Sequence, residues 1–497
     1  MSSDNGGIIG VVNDPTSTTA SGVWQQEEQY EAKVNDTWPQ RALFTTKSLR
    51  FNDDSSDYLE KNFSSTQDSR RKFTVSAWVK RSNLTTSTNI WGSSEGSGEG
   101  YNSLKFENHK LQYLSGNTSN SGTQVNLETN RLFRDVSAWY HIVLAVDTSQ
   151  GTDSNRIKLY VNGSQETSFN TSTYPSQNID LLTSTTPQMT IGMRDLRGNN
   201  AQFWDGYMCE VVFIDNQQLD PTSFGSTNSD GVWTPIPYTG TFGTNGFNLQ
   251  FENSAALGTD SSPNGNTFTV NNLTSIDQTT DYPVVNFATF NSLWIQRANN
   301  VQPAFSNGNL TATFDNSNYN EQGVSTIGVS SGKWYAEIKW DSATANTATN
   351  TGIFPVDYFG GDPFPSAYIY LADGTIRSKN SASSYGNSYT TGDIIGIALD
   401  LDNNKLYFSK NGTWQNSGDP TSGATGTGAI SIIADTYYMY CSDYASSGNR
   451  QASANFGNGY FGTTAVASAG TNASGIGIFE YDVPTGYTAL STKGLNL

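Results

Sequence analysis

The chain has 497 residues, only 14% of them charged, and its 45 acidic and 27 basic side chains leave a formal net charge of −18. An average soluble domain carries about 25% charged residues. Together with 47 glycines and 12% aromatics, this excludes a disordered polar chain, a coiled coil and a nucleic-acid binder with a basic face, and it leaves a large all-β protein.

Residues 1–41 read as an N-terminal arm. Gly6, Gly7, Gly10, Pro15 and a Ser/Thr run predict extended chain, and the following QQEEQYEAK predicts a short helix. Trp24, Tyr30 and Trp38 are too large for this piece to bury alone. Either they pack back on the next domain or they anchor the arm in a partner subunit. The arm has no basic n-region or apolar h-region, and no run of 18 apolar residues occurs. The expectation is a protein without secretion signal or membrane insertion, made in a cytosol and released within a particle.

Residues 42–240 alternate as β-strands do. In FTVSAWVKR, Phe73, Val75, Ala77 and Val79 share a face; Ile142, Leu144 and Val146 do so in WYHIVLAVD, and Ile157, Leu159 and Val161 in IKLYV. Asn108-His109-Lys110 predicts a hairpin turn between Leu104-Phe106 and Leu111-Tyr113. The order FTVSAWVKRS, WYHIVLAVDTS, RIKLYVNGSQ, MTIGMRD and FWDGYMCEVVFID resembles the laminin-G-like, concanavalin A-like jelly rolls. That resemblance implies two curved sheets with a glycan- or calcium-binding edge.

Residues 241–309, rich in Gly, Thr and Asn, read as a linker or bridging segment whose turn-dense loop Asp260–Asn266 completes the first sandwich or begins the second. Residues 310–462 return to strands. Trp334, Ala336 and Ile338 share a face, as do Ile395, Ile397, Leu399 and Leu401 before a turn at Asp402-Asn403-Asn404. GKWYAE, GDIIGIALDLDNNKLYFSKNG and the closing ANFGNGYFG resemble SPRY-type sandwiches. Residues 463–497 form a C-terminal extension that packs on the second sandwich. The fold class is therefore all-β: two antiparallel jelly-roll, concanavalin A-like β-sandwiches in tandem behind a short arm. Cys209 and Cys441 fall in different sandwiches and predict isolated buried thiols.

A retaining glycosidase needs two carboxyls about 5–5.5 Å apart, and no Glu-x-Asp-x-x-Glu strand occurs; Glu337, Asp341, Glu480 and Asp482 are the nearest acids. The only histidines are His109, in a turn, and His141, on a core strand. No Walker loop, GxGxxG or CxxC is present. The expectation is a protein that is not an enzyme. Calcium is the one candidate cofactor, with Asp260, Asn264 and Asn266, or Asp53, Asp54 and Asp57, as oxygen donors. Glycan binding needs exposed aromatics, for which Trp91, Tyr101, Trp204, Tyr358 and Phe359 stand as candidates against core burial.

The string GTNGFNLQFENSAALGTDSSPNGNTFTVNNL, followed by DYPVVNFATFNSLW, is similar to segments of marine-bacteriophage structural proteins. That resemblance implies a virion protein of tail-fibre or spike type. The arm would attach to other tail or capsid proteins, and the sandwiches would recognise a host-surface carbohydrate or receptor. A homo-oligomer is implied, with a trimer favoured. A capsid-decorating fibre, a polysaccharide-degrading enzyme on the same scaffold and a cellular adhesin remain as alternatives.

Overall fold

The computed structural model describes residues 45–84, 87–94, 100–117, 122–182, 184–195, 200–295, 301–315, 321–356, 367–379, 381–443 and 449–496. The arm residues Trp24, Tyr30 and Trp38, and the loop residues Tyr358 and Phe359, lie outside them. The body from Lys47 to Leu497 forms one compact unit whose regular secondary structure is nearly all strand.

The first sandwich has two antiparallel sheets. One runs through Ile157–Val161, Trp139–Asp147, Lys72–Arg81, Gly206–Asp215 and Ser48–Phe51, and the other through Gly122–Leu132, Lys110–Asn117, Gly100–Glu107, Thr88–Ser94, Gln188–Ile191 and Tyr58–Asn62. Phe73, Val75, Ala77, Val79, Ile142, Leu144 and Val146 all enter the core between them. The hairpin turn is tight: Glu107 pairs with Lys110, and Asn108 and His109 both take positive φ, at 48° and 68°. This is the backbone of a type I′ turn, whose twist matches the flanking strands.

Alternation predicts strands with one wet face, yet Lys72–Arg81, Trp139–Asp147 and Gly206–Asp215 are buried on both faces. Two covers account for this. Phe224 and Phe242 fold over Val143, Val212 and Ile214. The second sandwich and its bridge cover Trp78, Trp139, Tyr207 and Cys209. A sheet covered on both faces reads as a run of buried residues rather than as a strict alternation.

Residues 241–309, expected as a linker, supply strands to both sandwiches. Phe247–Leu249 pairs with Gly206–Asp215, Thr269–Asn271 with Tyr58–Asn62, and Gln278–Thr279 with Ser48–Phe51, so the first sandwich extends to Thr279. Ala304–Ser306 already belongs to the second, pairing with Thr311–Phe314. Three-residue strands with Gly and Asn on either side carry too little periodicity to be seen without their partners.

The second sandwich places Thr311–Phe314, Arg450–Asn455, Lys333–Ser342, Ile394–Asp400 and Lys405–Lys410 in one sheet. Glu321–Val329, Tyr437–Asp443, Asn350–Pro355, Tyr368–Leu371, Thr375–Ser378 and Ser381–Ser384 form the other. Ile395, Ile397, Leu399 and Leu401 line its core with Trp334, Ala336 and Ile338. Lys410 pairs with Thr413 across Asn411 and Gly412, both at positive φ, which again gives a two-residue primed hairpin. In the C-terminal tail, Thr488–Ala489 pairs parallel to Lys333–Ser342, and Phe479 packs edge-on against Tyr335 with ring centroids 4.9 Å apart.

Candidate functional site

Two of the proposed sugar-binding aromatics are core residues. Trp91 and Trp204 are both fully buried, Trp91 stacking at 6.0 Å on Phe213 and Trp204 lying 5.9 Å from Phe106. Trp91 sits on the inward side of the strand Thr88–Ser94 and Trp204 in the segment just before Gly206–Asp215, and both remove large apolar area from water. Tyr101 is half-buried on the outer face: its ring lies over Gly116, where a Cβ would come within 2.7 Å of the hydroxyl, and the Arg194 guanidinium lies 4.7 Å from its centroid.

The Asp260 loop is closed by its own hydrogen bonds. Asp260 Oδ1 accepts from the amides of Asn248 and Ser262, and Oδ2 from the Ser262 hydroxyl and the Asn266 amide. A carboxylate offers about four lone-pair sites, so all are taken. The side-chain amides of Asn264 and Asn266 donate to the carbonyls of Gly243, Thr244 and Gly246. The expected calcium donors are thus the struts of an Asx-type loop, with no carboxylate lone pair left for a cation. Asp57, from the other candidate loop, is likewise engaged by the Asn52 amide and the Ser55 hydroxyl. Among the described residues no group of three or more His, Cys, Asp or Glu side chains gathers for a metal.

The histidine and acid candidates also serve the fold. His141 Nδ1 accepts from Trp233 Nε1 at 3.0 Å, which leaves Nε2 to donate to Ser76 Oγ at 2.8 Å. Burial holds this ring's pKa down to about 3, so it stays neutral. Glu337 is buried and accepts four hydrogen bonds, from Tyr335 Oη, Asn455 Nδ2 and the amides of Glu480 and Tyr481. Burial pushes its carboxyl up to about 7 against those donors. Asp341 accepts from Ser453, Glu480 from the Ala467 amide and Asp482 from Thr471.

The site that the structure does assemble was not foreseen. A cleft of about 480 Å³ opens between the second sandwich and the tail. Its floor is Trp334 and Tyr487, and its rim carries Lys333, Asp402, Ser474 and Leu495. Gly332 and Gly486 stand in the wall at φ +82° and +88°, where L side chains are strained. Lys333 Nζ is held by Asp400 at 3.0 Å and lies 5.7 Å from the Tyr487 ring centroid. Asp402 Oδ1 accepts from the Gly332 amide at 2.8 Å, which fixes that carboxylate at the rim. Thr488, also in the lining, is 6% exposed, and its hydroxyl oxygen is buried rather than open to the cleft. A cation, a carboxylate and an apolar lip thus converge on one small space. Such a set can hold a polyhydroxylated ligand by paired donors and acceptors around an apolar face.

Residues 53–220 match the concanavalin A-like lectin/glucanases superfamily, and residues 317–432 match the SPRY domain. The two domains stand in tandem in this chain. Among curated proteins none matches it. Solved structures similar to parts of the chain include the SPRY domain of human HERC1, at 19% identity over 29% of this chain and 87% of that one, with a TM-score of 0.24. The heptameric SAP-like pentraxin of Limulus polyphemus is similar at 15% identity over 35% of this chain and 78% of its own, with a TM-score of 0.27. Domain 4 of AbnA, an extracellular arabinanase of Geobacillus stearothermophilus solved with arabinotriose, is similar at 19% identity over 31% of this chain and 64% of its own, with a TM-score of 0.23.

Proposed function

We propose that this protein is a carbohydrate-recognition protein without catalytic activity, and that it binds a neutral sugar in the cleft at Lys333 and Asp402. The convergence of those two charged groups beside Trp334 and Leu495 carries the reading. The concanavalin A-like and SPRY domains in tandem fit a glycan-binding role. Glycan-array binding by the purified chain, followed by calorimetric titration of D402A and K333A, tests it. The expectation is at least a tenfold loss of affinity for D402A, the equivalent of about 1.4 kcal/mol. Unchanged binding by both variants overturns the cleft as the site.

We further propose that the chain serves as a virion appendage of tail-fibre or spike type, attached to other virion proteins through residues 1–41 and presenting its sandwiches to a host surface, in a homo-oligomer with a trimer favoured. The support is the likeness of its sequence to phage structural proteins together with three large aromatics, Trp24, Tyr30 and Trp38, in so short an arm. Mass spectrometry of purified particles decides this reading: the chain is expected among the structural proteins, and deletion of 1–41 is expected to abolish its incorporation.

A further inference from the structure

Where the bridge meets the first sandwich, two side chains and a backbone carbonyl converge on the end of a buried lysine. Lys80 Nζ lies 2.7 Å from Asn286 Oδ1, 2.9 Å from Asp281 Oδ2 and 2.9 Å from the Phe287 carbonyl. Lys80 is fully buried, Asp281 is 1% exposed and Asn286 is 9% exposed. The walls are aromatic. The Tyr207 ring centroid is 5.3 Å from Nζ, and Trp139 Nε1 donates to Asp281 Oδ1 at 3.0 Å. Asn286 is held from its other side, its Nδ2 donating to the Ser137 carbonyl at 2.6 Å, so Oδ1 faces the lysine.

A nitrogen in hydrogen-bond contact with an amide oxygen stands roughly 3–3.5 Å from the carbonyl carbon, the distance of a near-attack arrangement. A carboxylate touching the same nitrogen can take its proton. Burial pushes the Asp281 carboxyl up even with Lys80 beside it, which suits it to accept and return protons.

We infer that Lys80 and Asn286 condense into an isopeptide bond, with Asp281 as the catalytic proton carrier. Asp281 takes one proton from the Lys80 ammonium. The freed lone pair attacks Asn286 Cγ, forming the C–N bond and placing a negative charge on Oδ1. The attacking nitrogen gives up a second proton, which Asp281 relays to the departing Nδ2. The Cγ–Nδ2 bond breaks, ammonia leaves with the first proton as ammonium, and the carboxylate is restored. Nothing is oxidised or reduced, and no co-reactant is needed. The 9% exposure of Asn286 gives ammonia a way out.

The bond would tie the long strand Lys72–Arg81 to the segment whose backbone continues onto the second sandwich. There Phe287 bridges to Ser491, and the Thr492 amide donates to the Asn286 carbonyl. Residues 206 positions apart would become covalent neighbours, so extension of the chain could not pull the first sandwich from the bridge.

Intact-mass analysis of the full chain under denaturing conditions, with tryptic mapping, tests this. The expected mass is one ammonia below the sequence mass. The map is expected to show no cleavage after Lys80 and one branched peptide containing Lys80 and Asn286. Linear peptides carrying an unmodified Lys80 and Asn286 overturn the inference. So does an ammonia loss that maps instead to an Asn-Gly step such as Asn411-Gly412, where succinimide formation gives the same mass. D281N and N286A are expected to restore the full sequence mass; a branched peptide in D281N overturns the role of Asp281. Because the map of the unmodified chain decides the main point, poor folding of either variant does not blunt the test.

Discussion

His141 shows how burial sets the behaviour of a single side chain. The ring stacks on Trp78 with centroids 4.6 Å apart, and both nitrogens are used by neutral partners. A protonated ring would lose the Trp233 bond and place a charge in an apolar site. Its pKa falls from 6.5 to about 3 on folding. The folded value lies below the unfolded one, so the contribution of this residue is complete above about pH 6.5 and is lost as the pH falls toward 3. Relative to H141Q, the wild type is expected to lose about 1.4 kcal/mol of stability per pH unit from 6.5 down to 4.5. Denaturant unfolding at several pH values reads this, and a difference that stays constant over the range contradicts it. The same burial makes His141 unfit as a general base near neutral pH, although a serine hydroxyl lies 2.8 Å away.

Among the elements, the C-terminal tail depends most on one side chain. It crosses the sandwich with few backbone pairings of its own, and Glu337 on the Lys333–Ser342 strand holds it by accepting the amides of Glu480 and Tyr481. Phe479 and Tyr487 then pack beside Tyr335. Replacing Glu337 by Ala leaves both amides unpartnered, at about 1–3 kcal/mol each when buried. The expected result for E337A is a loss of about 2–6 kcal/mol and fast hydrogen exchange at residues 480 and 481. Exchange there as slow as in the wild type contradicts the clamp. Because the tail also forms one wall of the cleft proposed to bind sugar, E337A is expected to weaken any glycan binding there without touching the ligand.

At the scale of the whole molecule, the two sandwiches share a core. Trp78, Trp139 and Tyr207 of the first meet Phe287 of the bridge, Tyr335, Ala398 and Tyr407 of the second and Tyr487 of the tail. Polar contacts lock the same seam: Tyr207 Oη donates to the Gly308 carbonyl at 2.9 Å, Arg50 Nη1 to the Gly462 carbonyl at 2.8 Å and Asn309 Nδ2 to the Ser82 carbonyl at 3.2 Å. Neither sandwich can open without exposing aromatic surface of the other. Residues 47–497 are therefore expected to unfold in one calorimetric transition, and two resolved transitions would show that the seam is weaker than its packing implies. Expressed alone, residues 310–462 would expose Tyr335, Ala398 and Tyr407 and are expected to aggregate.

Period-two alternation and turn chemistry are local properties, and they were legible in the amino-acid order: the inward faces of FTVSAWVKR and of Ile395–Leu401, and the primed turns at Asn108-His109 and Asn411-Gly412, need no distant partner to be recognised. The direction of a lone aromatic was not legible: Trp91 is inside because the register of neighbouring strands decides which face is buried, and Trp204, in the loop before Gly206, because that loop folds over the core. The covered outer face of Lys72–Arg81 was hidden for the same reason, since its cover comes from residues some 200 positions away. The cleft joins residues 331–334 and 402 to the tail at 473–495, and the lysine–asparagine pair joins positions 80 and 286. Strand faces and turns follow from local spacing; sites of this kind exist only once the sheets have stacked and the bridge has closed between them.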